Sequence, residues 1–282
     1  MAARRAIACA HMATTSSSPL GVKLGGGKTA EVHAWGPDKV IKLYQGEIPE
    51  RRIEAEARNV AALHAAGLPV PRFFEQVEIT GRRGSVFERI EGASISASLR
   101  KNPFRLFPLA RRFAAVQRLM HGTERSDLPP VAEHLRRVIA HVSTLKPVQK
   151  NQLNMLLDSL PPGDFVCHFD FHPSNVILSP RGPVVLDWAS ARRGNPLADV
   201  ARTCVLLATD HLSASTAPVA KIWNKAFAGT YLRGYFDGAT GTRHELERWI
   251  AILAAAKLRK AEAREIPVLT RLVERGLRNQ PP

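Results

Sequence analysis

The 282-residue chain has no uninterrupted apolar run of the roughly eighteen residues that a membrane-spanning helix needs. Its three cysteines, Cys9, Cys167 and Cys204, show no CxxC spacing. That argues against a disulfide framework or a cysteine-ligated zinc site and fits a reducing cytoplasm. Cys167, inside an apolar run, reads as a small buried hydrophobe. Acidic residues are few, 25 against 40 Lys and Arg, which leaves a formal charge of +15. Yet no block of five like charges occurs, and no basic stretch is interleaved with aromatics as single-strand binding would want. A solvated basic surface accounts for the excess, and neither nucleic acid nor membrane is expected as a partner. What is present is a globular composition: 45% hydrophobic residues, enough for one large or two small domains.

Residues 1 to 18, with Arg4-Arg5 and a Thr/Ser-rich stretch, read as a disordered tail. The apolar stretch from Ala6 to Ala10 is too short for a signal-peptide core, and Met12 is a candidate initiator; a short organellar presequence is the alternative. From Leu20 the pattern is strand, glycine turn (Gly25, Gly26, Gly27), strand. Gly27-Lys28-Thr29 looks like the end of a Walker A loop, but that motif wants Gly where Val22 stands and would open a helix. A strand from 38 to 44 follows, then an Ala- and Glu-rich helix from 48 to 66 that stops at Gly67 and Pro69. Its inward stripe of Ile53, Val60 and Leu63 includes Glu56. A carboxylate on a buried stripe needs a cation, and Lys42, among apolar neighbours on the preceding strand, is the expected partner. Two further strands, 73 to 79 and 84 to 90, flank a turn at 80 to 83.

Beyond Gly92 the pattern is mainly helical, over 104–121, 131–145, 148–160, 196–207, 217–236, 242–263 and 267–277. Trp223, Tyr231 and Trp249 are expected in the core. One segment breaks the pattern. Val176-Ile-Leu178 and Pro183-Val-Val-Leu186, separated by Ser179-Pro-Arg-Gly182, read as a hairpin. Antiparallel pairing makes Asn175 and Asp187 neighbours, and Asp170 lies on the loop that enters the hairpin. Asn175 and Asp187 suit a hard cation such as Mg²⁺, which takes few carboxylates plus waters and substrate phosphates. Asp170, offset from the metal, would accept a proton.

His168-x-Asp170-x-His172-Pro173-x-Asn175, then Leu186-Asp187-Trp188 and the run Gly194, Pro196, Asp199-Val-Ala201, resembles the signature of the aminoglycoside phosphotransferase and choline kinase-like superfamily. Glu56-Ala-Arg with Leu63, followed by Gly67-Leu-Pro-Val-Pro71, is similar to that family as well. Two positions depart from it: Phe169 and Ser174 stand where glycine is usual. The resemblance implies an α+β, bilobal protein-kinase-like fold, with a small antiparallel β-sheet lobe bearing one helix over 19–88 and a larger, mainly helical lobe over 89–282. It implies ATP and Mg²⁺ as cofactors, with ATP lying between the lobes under the glycine turn. Lys42, paired with Glu56, would contact the α- and β-phosphates. The backbone of Glu88 and Ile90 would hold adenine, beside Phe87. Asn175 and Asp187 would hold the metal, Asp170 would be the catalytic base, and Asp199 would anchor the catalytic-loop amides.

The activity so implied is transfer of a γ-phosphoryl group to a hydroxyl of a small molecule. Aminoglycosides are polycations, whereas residues 211 onward carry twelve Lys/Arg against six Asp/Glu, a surplus of +6. That balance leaves room for a neutral or anionic acceptor. The rivals are a catalytically silent kinase-fold scaffold, against which the joint presence of Lys42, Glu56, Asp170, Asn175 and Asp187 speaks, and a nucleic-acid-binding module whose affinity would fall steeply with salt.

Overall fold

The structure, a computed structural model, describes residues 20–27, 29–214, 218–238 and 241–278. The tail expected over residues 1 to 18, with Cys9 and Met12, lies outside them, as does Lys28 of the glycine turn. Just over half of the described residues are helical. The chain forms two compact units, one of residues up to Ala61 with Pro71–Arg89, the other of Ala62–Val70 with Ile90 onward. The 62–70 stretch, expected in the first lobe, thus groups with the second.

The first unit is a five-stranded antiparallel sheet and most of one helix. Its strands are β1 (Lys23–Gly26), β2 (Ala30–Ala34), β3 (Lys39–Tyr44), β4 (Phe73–Ile79) and β5 (Arg82–Glu88), in the order β1-β2-β3-β5-β4. The helix α1 (Glu50–Ala65) joins β3 to β4. Alternation along β3 separates two layers. Ile41 and Leu43 are buried with Trp35 and Val86, against Phe74, Val77 and Ile79. Tyr44, on the other face, packs with Ala30 and Ile53 of α1. The β4–β5 turn is tighter than the sequence suggests. Thr80 and Gly81 alone make it, at φ +48° and +74°, so β5 begins at Arg82 rather than Gly84. Two consecutive positive-φ residues are the mark of a type I′ hairpin, whose twist matches the strands it joins.

The second unit opens with β6 (Ala93–Ser94) and α2 (Ile95–Lys101), neither read from sequence. Ser94 caps α2 by accepting from the Ala97 amide at 3.1 Å. Then come α3 (Leu106–His121), α4 (Val131–Ala140) and α5 (Pro147–Asp158), followed by β7 (Phe165–Cys167), β8 (Val176–Ser179), β9 (Gly182–Val185) and β10 (Arg192–Gly194). Four helices finish it: α6 (Pro196–Ala214), α7 (Pro218–Phe236), α8 (Arg243–Leu258) and α9 (Ile266–Arg278). Helix α4 ends five residues earlier than expected, before a Ser-Thr stretch that competes with the helix ladder. Helix α8 stops at Leu258 rather than 263, where the Glu265 carboxylate takes the Glu262 amide at 2.9 Å and organises the turn into α9.

Helix α3 packs on α7, and α6 on α8. Phe113 of α3 stacks on Phe171 of the Asp170 loop, with ring centroids 4.2 Å apart, and Tyr231 of α7 lies 5.3 Å from the same Phe113 ring. Tyr231 and Trp249 are core residues, as expected. Trp223 is not: it is 39% exposed. Cys167 is buried, and Cys167 and Cys204 are both free thiols. Among the described residues, no helix is long and apolar enough to cross a membrane.

Candidate active site

The hairpin forms, but its turn has two residues rather than the expected four, and its register is one residue off the pairing that would set Asn175 directly opposite Asp187. Val176 pairs with Val185 and Ser179 with Gly182, closing a two-residue turn. Continuing that ladder, the Leu186 amide donates to the Asn175 carbonyl at 2.8 Å, so Asn175 and Asp187 emerge at the same end. Gly92 is required at this sheet. It sits at φ +137°, and a Cβ there would run into the Leu178 carbonyl oxygen.

Asn175 donates its Nδ2 to the Asp170 carbonyl at 3.0 Å. Its amide nitrogen is thereby committed to the loop, which leaves Oδ1 as the atom able to face a cation. Asp187 sits at φ +62°, opening a short 3₁₀ turn (Trp188–Ser190) that its side chain does not cap. No group of three or more His, Cys, Asp or Glu able to hold a metal ion occurs among the described residues. The donor set is one carboxylate and one carboxamide, both hard oxygens. It fits Mg²⁺ completed by phosphates and water, and does not fit a metal that wants a full protein cage.

Asp170 is one-third exposed, with Oδ1 3.9 Å from Arg202 NH2 and Oδ2 4.0 Å from His172 Nε2. Its backbone is fixed from both sides. The Asp170 amide donates to His168 Nδ1 at 3.1 Å, while His168 Nε2 lies 2.9 Å from the Leu186 carbonyl. Accepting on Nδ1 and donating from Nε2 sets a neutral tautomer, and the ring ties the loop to the hairpin. The preceding residue, Phe169, stands at φ +65°. Its amide donates to Asp199 Oδ1 at 2.6 Å, and its carbonyl accepts from Arg202 Nε at 3.2 Å.

Asp199 is fully buried at the start of α6. Its Oδ2 accepts from Gln117 Nε2 at 2.9 Å and lies 3.0 Å from His121 Nε2. His121 in turn reaches the Tyr235 hydroxyl at 2.7 Å, and Tyr231 donates to Gln117. Burial pushes the Asp199 carboxyl up, but the hydrogen bonds and charge of His121 outweigh it and hold it below its ordinary value. Thr203, one turn on, donates to the Phe171 carbonyl at 3.0 Å. The loop is thus held by α3, α6 and α7 through groups thirty or more positions away, and no local pattern marks Gln117 or His121.

In the other unit, Lys42 Nζ lies 2.7 Å from Glu56 Oε1, and Glu56 is 3% exposed. Tyr44 donates to Glu56 Oε2 at 3.0 Å and lies 3.2 Å from Ser85 Oγ. Tyr44 was not singled out from sequence, although two-residue spacing puts it on the face of β3 that Lys42 occupies. Burial, then the Glu56 charge, raises its hydroxyl well above the usual tyrosine range. Glu54 turns outward to Arg58.

Gly25 and Gly26 lie in exposed β1, and the Gly27 amide donates to the Ala30 carbonyl at 2.9 Å. A Cβ on Gly26 would come within 3.1 Å of that same carbonyl, while Gly25 and Gly27 face open space. Phe87 is buried edge-on against Phe73. The Glu88 amide is committed to the Arg72 carbonyl at 2.8 Å. Ile90 begins the second unit's main segment.

The sequence matches the phosphotransferase enzyme family over residues 24–249, most of the chain. The chain belongs to that family. No protein of curated function matches it in sequence. Among solved structures it is similar to aminoglycoside-3'-phosphotransferase of type VIII (22% identity, TM-score 0.58, covering 84% of this chain and 93% of that one). It is also similar to a choline/ethanolamine kinase family protein from Mesorhizobium loti (18%, 0.60, 94% and 90%). A third is the streptomycin-ATP-APH(2")-IIa ternary complex (14%, 0.53, 90% and 90%). The fold is therefore the protein-kinase-like fold of these phosphotransferases.

Proposed function

We propose that the protein transfers the γ-phosphoryl group of ATP, with Mg²⁺, to a hydroxyl of a small-molecule acceptor. The observation that carries this reading is the coexistence, in a member of this family, of Lys42 paired with buried Glu56 and of Asp170, Asn175 and Asp187 on one rigidly held loop and hairpin. Lys42, oriented by Glu56 and Tyr44, binds the α- and β-phosphates. The backbone of Gly25, Gly26 and Gly27 covers the phosphates, and that of Glu88 and Ile90 holds adenine. Asn175 Oδ1 and the Asp187 carboxylate hold Mg²⁺, which supplies charge neutralisation on the phosphates. Asp170 orients the acceptor hydroxyl and takes its proton, in chemistry that is mostly positioning and electrostatics. The ternary complex of a similar fold with streptomycin and ATP supports a nucleotide and a small-molecule acceptor. Free thiols at Cys167 and Cys204 support a reducing cytoplasm as the setting.

The test is ADP release from Mg-ATP across alcohols, amino alcohols, sugars and aminoglycosides, in wild type, Asp170→Ala and Asp187→Ala. Acceptor-stimulated turnover lost in both variants is the expected result. Mg-dependent ATP binding without turnover on any acceptor would favour the silent scaffold.

A further inference from the structure

The loop that carries Asp170 is bordered, within its own unit, by an excess of arginine. Arg202 of α6 donates to the Phe169 carbonyl and sets NH2 3.9 Å from Asp170 Oδ1. Arg192 of β10 places its guanidinium carbon 6.0 Å from the Phe169 ring centroid. His134 of α4 packs edge-on against the same ring at 5.8 Å. Phe169 is thus the floor on which Arg192 and His134 rest.

These cations are poorly matched by acids. Arg192 is half-buried, its Nε has no hydrogen-bond partner, and it makes no ion pair among the described residues. Arg137 and Arg259 are exposed and near enough to act on His134. Burial first, then Arg192, Arg137, Arg202 and Arg259, lowers the His134 imidazole from 6.5 to about 3. Burial and then Arg137 lower the Arg192 guanidinium from 12.5 to about 10. The carboxylates within reach of Arg202 are Asp170, Asp199 and Glu265. Asp199 is taken up by Phe169, Gln117 and His121, and Glu265 by Lys257 at 2.8 Å and the Glu262 amide. Only Asp170 remains. Cations gathered in a partly desolvated place without counter-charges are costly unless an anion joins them, and guanidinium forks match carboxylate and phosphate oxygens.

We propose that the acceptor carries an anionic group, a carboxylate or a phosphate, which Arg192 binds with support from Arg137 and Arg202 while the acceptor hydroxyl faces Asp170. This rests on the phosphotransferase reading and narrows its substrate class, away from the polycationic streptomycin named in a similar structure.

The experiment measures ADP release with acceptors matched in pairs that differ by one acidic group: glycerol against glycerate and glycerol 3-phosphate, ethanolamine against serine, glucose against glucose 6-phosphate, with streptomycin as the cationic extreme. The anionic members are expected to show at least tenfold higher kcat/KM, and the better of carboxylate and phosphate names the source. Arg192→Gln should raise the acceptor KM at least tenfold and leave the KM for ATP unchanged. Arg192→Lys should fall between, and exposed Arg137→Gln should give a smaller rise without any threat to folding. An arm independent of turnover titrates the wild type calorimetrically with inorganic phosphate and with malonate, expecting binding that weakens at least tenfold in Arg192→Gln. Preference for neutral or cationic acceptors, an Arg192→Gln effect on ATP alone, or no binding of either anion would overturn the inference while leaving phosphotransfer intact. Loss of ATP binding by the wild type would instead remove the reading on which it rests.

Discussion

Asp199 and Phe169, thirty positions apart, are joined by a 2.6 Å hydrogen bond from a loop amide to a carboxylate with no solvent exposure. Every other oxygen contact of Asp199 is also filled, by Gln117 and His121. The proposed base therefore inherits its position from a helix anchor rather than from its own side-chain contacts, which are all near 4 Å. Asp199→Ala should cost about 3 kcal/mol in urea unfolding, because it strands buried donors on three residues. His121→Gln, which can keep one bond to Asp199, should cost less.

The Lys42–Glu56 pair separates stability from chemistry. Lys42→Met removes a charge but keeps an apolar stem beside Tyr44, and leaves Glu56 the Tyr44 hydroxyl as a partner. Loss of a preorganised cation at the phosphates should lower kcat roughly 100-fold or more. Glu56→Gln should lower it less, since a carboxamide still accepts from Lys42. Steady-state kinetics beside urea melts of both variants and the double variant give the coupling energy.

His134 makes acid stability testable. Its folded pKa, about 3, lies below the ordinary 6.5. Between those values the unfolded chain binds the proton and the folded chain does not, so stability falls as pH drops below about 6.5 and is fully retained above it. At pH 5 the deficit from this one group approaches about 2 kcal/mol, at about 1.4 kcal/mol per pH unit. Urea unfolding at pH 7 and pH 5 should show the wild type losing more than His134→Gln; equal losses would remove His134 from the account.

Thr80 is a β-branched residue at φ +48° in an exposed two-residue turn. Side chains of that kind pay about 1 kcal/mol for the left-handed region. Thr80→Gly or Thr80→Asn should therefore stabilise the first unit by about that amount in urea unfolding, with no change in activity.

What could be read from the sequence followed the range of the forces involved. The hairpin from Val176 to Leu186 and the inward Glu56 are written in two-residue and helical periodicities, and both appear where those periodicities put them. Helix ends were less legible, because the stop after Leu258 is set by Glu265 reaching back to an amide, a choice made by side-chain geometry. The network of Gln117, His121, Tyr231 and Tyr235 around Asp199 joins residues on three helices and has no local signature. Exposed Trp223 was misplaced because hydrophobicity alone does not say which helix face meets a neighbour.

The most direct measurement follows the phosphoryl group itself. With γ-labelled ATP, Mg²⁺ and the best acceptor of the panel, the label should appear in a phosphorylated acceptor in wild type, and in neither Asp170→Ala nor Asp187→Ala. Label found only in inorganic phosphate, or transferred equally well by Asp170→Ala, would contradict the account.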